Sequence, residues 1–412
     1  MQGSSGYMVS AYKDGDAVKV IATFYDSMQG MLSPASYYYD TAAGSLTFSP
    51  TALPNGIEAA SPAHEVALAD KIADLTYSDG ETTWKLFDGW KFGAQADAKV
   101  VPLTAPEKAA SQITEDDFYN VFWELDRDSM QTYLDEHPET LANGWAGINI
   151  NESGLSQSGT SIRTTMGEQV LAVNFREKVL LVRVAGEKYR GVLAVAKVPA
   201  RLSVEMSDGL GSYGQTVGEI AEAHGGLLSM TCNGFLDPGG QGNGGELAGF
   251  AMSDGVPYGE HYPYTDDFPY ARFEILTDNT VCIRRSNEEV RADCRDATEF
   301  NPALIIDGEI IQSNYWTSEA PRACIGQSSR QEMLLLVIEG RMPESGILGT
   351  SVNECSAILA RHGAVQAMNV DGGTSAMMWY DGEYVIRGSN PPTRYTGSRP
   401  VPNAFVYHKV EE

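Results

Sequence analysis

The chemistry-bearing residues of this chain cluster in a few glycine-flanked stretches. The densest is Asn369-Val370-Asp371-Gly372-Gly373-Thr374-Ser375. One apolar run, Ala364 to Met368, precedes it and a second, Met377 to Tyr380, follows, so Asp371 stands at the end of an expected strand. A carboxylate there can accept or give a proton, bind a metal or orient a hydroxyl. The two glycines let the backbone approach a ligand closely or adopt positive φ. Asp-Gly-Gly is also an ordinary hairpin turn. The stretch is not a nucleophile elbow, because Met377 stands where a glycine is required two residues after Ser375. No Gly-Lys-Ser/Thr follows, which excludes a phosphate loop.

Other stretches carry further candidates. Cys232-Asn233-Gly234-Phe235-Leu236-Asp237-Pro238-Gly239-Gly240 holds two turn signals, at Asn233 and at Asp237. Pro321-Arg322-Ala323-Cys324-Ile325-Gly326 contains an arginine able to grip a phosphate with two N–H groups, although a surface ion pair uses the same residue. Glu339-Gly340-Arg341 follows the apolar run Leu334 to Ile338, and reads equally as a hairpin turn with a solvated ion pair. Glu354 lies three residues after Ser351, the spacing of a capping box, so it serves a helix end, a pocket, or both. His224 and His362 each precede a helix-ending glycine and read as helix-terminal residues, not a catalytic pair. Oxygens of Asp237, Asp307, Asn369 and Asp371 could hold Ca²⁺ or Mg²⁺, but no spaced ligand motif demands it. None of the five cysteines forms a CxxC pair, which argues against a structural zinc. Cys282 and Cys294 flank a polar stretch, Arg284 to Arg291, that reads as a hairpin tip. A disulfide between them is one reading, and the odd count leaves at least one thiol free.

These groups need elements to position them. Two segments repeat one design. Thr216 to Glu219 opens a helical stretch that stops at His224-Gly225, and an apolar run through Met230 then leads to Asn233-Gly234. Ser351 to Glu354 opens another that stops at His362-Gly363, and a run through Met368 leads to Asp371-Gly372. Each pattern predicts a capped helix followed by a buried strand whose end delivers small polar groups. Upstream, strands are expected over Gln169 to Val173, Lys178 to Val184, Val192 to Val198 and Leu202 to Met206. One long helix is expected from Thr114, with Phe118, Val121, Phe122, Leu125, Met130, Tyr133 and Leu134 as its apolar stripe. Nearer the start, Val18 to Phe24 reads as a strand and His64 to Leu75 as a helix.

Composition bounds the rest. The chain has 412 residues, 42% of them hydrophobic and 20% charged, enough for sizeable cores. Its net charge of −26 argues against nucleic acid or an anionic membrane surface as a partner. The acidity is uneven. Residues 1–145 carry 8 basic and 22 acidic side chains, a net −14, whereas residues 312–412 carry 8 and 10, a net −2. No apolar run approaches the roughly 20 residues of a membrane span. The first residues lack the basic and apolar parts of a signal peptide and look like a trimmed start.

Taken together, the motifs resemble the phosphodiester glycosidase family. The resemblance runs from about Lys188 to Lys409. It is carried by Tyr189-Arg190-Gly191, Cys232 to Pro238, Ser253-Asp254-Gly255, Leu304 to Glu309, Pro321 to Gly326, Leu335 to Arg341, Glu354, Asn369 to Ser375 and Arg399. It implies an α+β, sheet-rich catalytic domain over residues 188–410, preceded by connecting strands (146–187) and an acidic strand-plus-helix region of unassigned role (1–145). It implies hydrolysis of a sugar-1-phosphodiester, such as N-acetylglucosamine-1-phosphate joined to another sugar or to a bacterial glycopolymer, by a secreted or cell-surface enzyme. Arg322, with Arg341 and Arg399, would hold the phosphate. Asp371 or Glu354 would act as base, nucleophile or acid. Asn233, Cys232, Gly234, Asp237, Asp307, Asn369, Gly372, Gly373 and Ser375 would line the substrate site. One departure stands out, since the family's Asn falls on Cys232, with Asn233 one place later. The competing expectation is a non-catalytic glycan-binding protein on a degraded enzyme scaffold.

Overall fold

The computed structural model describes residues 113–147, 159–237, 242–388 and 398–410, together with the backbone of strands between residues 5 and 85. The chain falls into two compact units, Met1–Asp117 and Phe118–Glu412. The first contains a four-stranded antiparallel sheet of Ser5–Asp14, Ala17–Asp26, Leu32–Asp40 and Ser45–Phe48, in that order. The strand expected over Val18 to Phe24 lies within it, while the helix expected over His64 to Leu75 falls outside the described residues.

The second unit is sheet-rich. A nine-stranded sheet has Ala364–Val370 beside Arg322–Ser328, then Met333–Ile338, Arg190–Ala196, Val179–Ala185 and Val170–Asn174. A five-stranded sheet runs Leu202–Met206, Asn403–His408, Gly226–Thr231, Met378–Tyr380, Glu383–Ile386. A third, also five-stranded, has Ala271–Leu276 between Cys294–Phe300 and Val281–Arg285. All three are antiparallel wherever their strands pair. One core joins them. Met333, Leu335 and Val337 meet Met230, Phe405 and Tyr407 from the second sheet and Phe273 and Ile275 from the third. Leu334, Leu336 and Ile338, on the other face of the same strand, are also buried, which is why this strand reads as a continuous apolar run without alternation.

The two repeated helix–strand units fold as their sequences direct. Thr216 and Glu219 form a complete capping box at helix Val217–Ala223, and Gly225, at φ +66°, turns the chain into strand Gly226–Thr231. Ser351 caps helix Val352–Arg361, and Gly363, at φ +83°, leads into strand Ala364–Val370. The first helix packs on Trp379, Ala404 and Val406, the face of the five-stranded sheet turned away from the shared core.

Two expectations are corrected. The single helix from Thr114 is broken into Glu115–Val121, Arg127–Glu136 and Glu139–Asn143. Asp126 starts the second piece by accepting from Ser129 N at 2.9 Å, and Leu125 bridges to Thr164. The apolar spacing survives across this break because Phe118, Phe122, Leu125, Met130 and Leu134 still share burial. All five cysteines are free. Cys282 and Cys294 lie on strands flanking Ala271–Leu276, opposite Glu274 and Leu276 respectively. A whole strand therefore separates their backbones, about 9–10 Å at the usual spacing, too far for a disulfide.

Candidate functional site

The nine-stranded sheet gathers several motifs along one rim. Val370 pairs with Ala323, Arg322 pairs with Ile338, and Gly191 pairs with the same Ile338. The register therefore brings Arg190, Arg322, Glu339 to Arg341 and Asp371 to neighbouring strand ends. The five-stranded sheet meets this rim where Gly226–Thr231 runs into Cys232, whose carbonyl accepts from Asp371 N at 3.1 Å. The polar ends of the two repeated units are thus joined directly.

Asp371 is the chemical centre of this junction. It is half-buried, and burial raises its carboxyl from 3.8 to about 6, against a hydrogen bond from the Ser375 side chain and the charge of Arg399. Gly373–Ser375 forms a single 3₁₀ turn, closed by Ser375 N on Gly372 O at 3.0 Å, which sets Ser375 against the carboxylate. Both glycines are sterically required. A Cβ on Gly372 would lie 2.9 Å from Pro321 O, and Gly373, at φ +59°, has Arg341 Nη2 3.3 Å from where its Cβ would stand. Arg341 Nη1 donates to Thr374 Oγ1 at 3.3 Å. The Arg399 guanidinium sits 4.5 Å over the Phe235 ring. Tyr262 borders the group, and burial together with the charges of Tyr270, Asp371 and Glu299 pushes its phenol well above the usual range. Asp371, Ser375 and Arg399 thus come together, with Arg341 on the adjoining Gly373-Thr374 turn, and the carboxylate is able to exchange protons near neutral pH.

The remaining candidates have other surroundings. Arg322 is buried, and three of its N–H bonds go to backbone carbonyls: Nε to Thr350 O at 3.0 Å, and Nη2 to Trp316 O at 2.9 Å and Ser318 O at 2.7 Å. Glu354 is exposed. Ser351 Oγ accepts from its backbone N at 3.2 Å, while its carboxylate takes the Tyr189 hydroxyl at 3.0 Å and does not close the capping box. Burial, then this hydrogen bond, raises the Tyr189 phenol to about 12. Asn233 is fully buried. Its Nδ2 reaches Ala248 O, Phe250 O and Glu299 O, and its Oδ1 accepts from Thr298 Oγ1 at 2.6 Å and Asn403 Nδ2 at 2.9 Å. Cys232 is also fully buried, and burial raises its thiol to about 12. Asn369 is buried, with Nδ2 on Asn301 O at 2.7 Å. Gly234 packs against Phe300, where a Cβ would come within 3.1 Å of the ring. Asp237 is exposed and accepts from Gly242 N at 2.7 Å.

Asp307 is not brought to this rim. It accepts from Gln366 Nε2 at 2.6 Å, and Gln366 precedes Asp371 by five residues along one strand, about 16 Å of extended chain. The four oxygens considered for a cation therefore do not converge. Among the described residues, no group of three His, Cys, Asp or Glu side chains is arranged to hold a metal.

Three participants escaped sequence reading. Tyr262 sits in a tyrosine- and proline-rich stretch, Tyr258 to Tyr270, with no spacing rule to single it out. Tyr189 was visible only as a member of Tyr189-Arg190-Gly191. Glu339 is paired with Arg190 and buried, and is not the partner of Arg341 in a solvated turn. Only sheet register reveals that pairing.

Residues 228–408 match the family model described as phosphodiester glycosidase. The resemblance carried by the motifs is borne out over that span. Among solved structures, the zebrafish N-acetylglucosamine-1-phosphodiester alpha-N-acetylglucosaminidase catalytic domain, auto-inhibited by its pro-peptide, is 16% identical with a TM-score of 0.46, covering 56% of this chain and 82% of that one. A hypothetical protein from Synechocystis is 14% identical with a TM-score of 0.39, covering 57% and 63%. A protein of Burkholderia pseudomallei described as exported is 11% identical with a TM-score of 0.41, covering 98% and 96%. No curated protein matches.

Proposed function

We propose that the region matched to the phosphodiester glycosidases hydrolyses a glycosyl phosphodiester, releasing a sugar from the phosphate that joins it to another sugar or a glycopolymer. The observation that carries this reading is Asp371, a carboxyl raised to about 6 and set beside Arg399. A phosphodiester is a monoanion. Arg399 and Arg341 hold its oxygens and stabilise the charge that develops as the bond breaks. Asp371 transfers the proton that bond cleavage requires, or attacks as nucleophile, and Ser375 fixes the orientation of its carboxylate. Glu354, with Tyr189, supplies a second carboxylate at the start of helix Val352–Arg361. Arg322 acts one step back, holding the Trp316 and Ser318 carbonyls and so the loop they belong to. The near-neutral charge of residues 312–412 supports an anionic substrate there despite the acidity of the whole chain. Secretion or surface display fits a glycopolymer substrate, and among the described residues no helix is long and apolar enough to cross a membrane.

The test is release of free sugar from sugar-1-phosphate methyl diesters and nucleotide sugars. Turnover by the wild type that vanishes in Asp371→Asn is expected, and no turnover on any of them refutes the reading. A second reading, glycan binding without catalysis, draws support from Cys232 standing at the family's Asn and from the complete burial of Asn233. It prevails if the protein binds sugar phosphates, shows no hydrolysis, and Asp371→Ala leaves binding intact.

A further inference from the structure

A cavity of about 400 Å³ opens beside the candidate site, within the range typical of small-ligand pockets. Its wall carries the rings of Tyr264, Tyr270 and Tyr315 and the planar polar groups of Arg284, Arg285 and Asn314. Two connections tie it to Asp371. The Tyr270 ring stacks on Tyr262 at 3.9 Å and 14°, and Tyr262 is the residue whose phenol feels the Asp371 charge. On the other side, Pro302 and Ala303 line the cavity, and Pro302 O accepts from Asn369 N at 3.0 Å, two residues before Asp371.

The wall is pre-organised. Ser313 and Asn353 exchange two hydrogen bonds, Ser313 N to Asn353 Oδ1 at 2.9 Å and Asn353 Nδ2 to Ser313 O at 3.0 Å, which clamp the Tyr315 loop to helix Val352–Arg361. Arg322 holds the same loop through Trp316 O and Ser318 O. The Arg285 guanidinium lies 5.0 Å over Tyr264, and Arg284 pairs with Glu288 at 2.8 Å. The ion pair offsets much of the local charge, so the cavity is not built for a bare anion. Aromatic faces suit the C–H faces of a sugar ring, and amide, guanidinium and carboxylate edges suit its hydroxyls. A purely apolar ligand would leave those polar edges unpaired.

We infer that this cavity is a saccharide subsite holding the part of the substrate beyond the phosphate, so that the enzyme is built for oligomeric or polymeric glycosyl phosphodiesters. The inference rests on the hydrolase reading for the identity of its ligand, but the subsite can be tested apart from turnover. The first arm compares N-acetylglucosamine-1-phosphate methyl diester with the same phosphate joined to a disaccharide. Tyr315→Ala and Asn314→Ala should each lower kcat/KM about five- to tenfold on the longer substrate, and leave the methyl diester unchanged. Tyr315→Phe should restore most of the loss, because it keeps the ring. Equal effects on both substrates, or no effect on the longer one, overturn the inference, provided thermal melting shows the variants folded. If neither substrate turns over, the hydrolase reading fails, and calorimetric titration with lactose, cellobiose, maltose and N,N′-diacetylchitobiose decides the subsite alone. Binding by the wild type that is weakened in Tyr315→Ala sustains it. Absence of binding, or unchanged binding in the variant, overturns it.

Discussion

Replacing Asp371 with asparagine separates the burden of burying this carboxylate from its chemical use. Its value in the folded chain, about 6, lies above the 3.8 of the unfolded reference, so folding favours the protonated form. The associated stability is complete below about pH 3.8 and is lost as pH rises through about 6. Above that, the ionised carboxylate weighs on the fold. At 1.36 kcal/mol per pH unit the full difference comes to about 3 kcal/mol, and because the side chain keeps some contact with water we take about 1–2 kcal/mol. Asparagine keeps the shape and carries no charge. Asp371→Asn should therefore be more stable than the wild type by about 1–2 kcal/mol at pH 8, and the gap should close toward pH 4.5. Urea denaturation of both proteins across that range measures it. A gap independent of pH, or a wild type more stable at pH 8, would refute the assignment of a buried, raised carboxyl. On the proposed function the same variant should lose turnover, and a gain in stability with a loss of activity would mark Asp371 as a site residue held at a cost to the fold.

Four further outcomes are expected. If Asp371 acts as base or nucleophile, kcat/KM rises with pH through about 6; if it acts as acid, kcat/KM falls there. A pH–rate profile identifies which. Arg322→Lys cannot reproduce three N–H bonds to carbonyls and should destabilise the chain by roughly 2–3 kcal/mol in denaturant melts, with Arg322→Ala no better. Asn233→Ala leaves buried partners unsatisfied and should cost roughly 2–4 kcal/mol, measured the same way. Alkylation of the denatured chain without reductant should label all five cysteines by mass spectrometry, and failure to label Cys282 and Cys294 alone would restore the disulfide between them.

Much of the site was legible because its parts are local. A capping pair, a helix-ending glycine, an apolar run and a polar-glycine turn each depend on residues within a few positions. The repeated unit therefore revealed both strands whose ends meet at Asp371 and Cys232. The break at Asp126 was not legible, because apolar spacing survives a change of helix axis when both pieces face one core. The possible Cys282–Cys294 bridge was excluded only by strand order, which a hairpin-shaped sequence does not state. Asp307 was grouped with Asp371 by motif order, yet it lies beside Gln366, near the start of the strand whose far end leads into Asp371.

The least legible distinction was between arginines committed to backbone carbonyls and arginines that are not. Arg322, Arg341 and Arg399 are indistinguishable by type, and all lie in a segment with little net charge. Their surroundings part them. Arg322 starts a strand buried along its whole length, where the carbonyls of Trp316, Ser318 and Thr350 surround its guanidinium. A buried guanidinium must satisfy its N–H groups within the protein, and these three carbonyls do so. Arg341 lies just beyond its strand at φ +59°, exposed, with Thr374 as its hydrogen-bond partner, while Arg399 rests on an aromatic ring beside the carboxylate. Strand position therefore sorts the three. The arginine that begins a buried strand is committed to backbone carbonyls, and the two outside the strands are those we propose hold the phosphate. An Arg399→Lys variant should then raise KM for a phosphodiester with little effect on melting, the reverse of what Arg322→Lys does. Matching losses of stability in both variants would collapse the distinction.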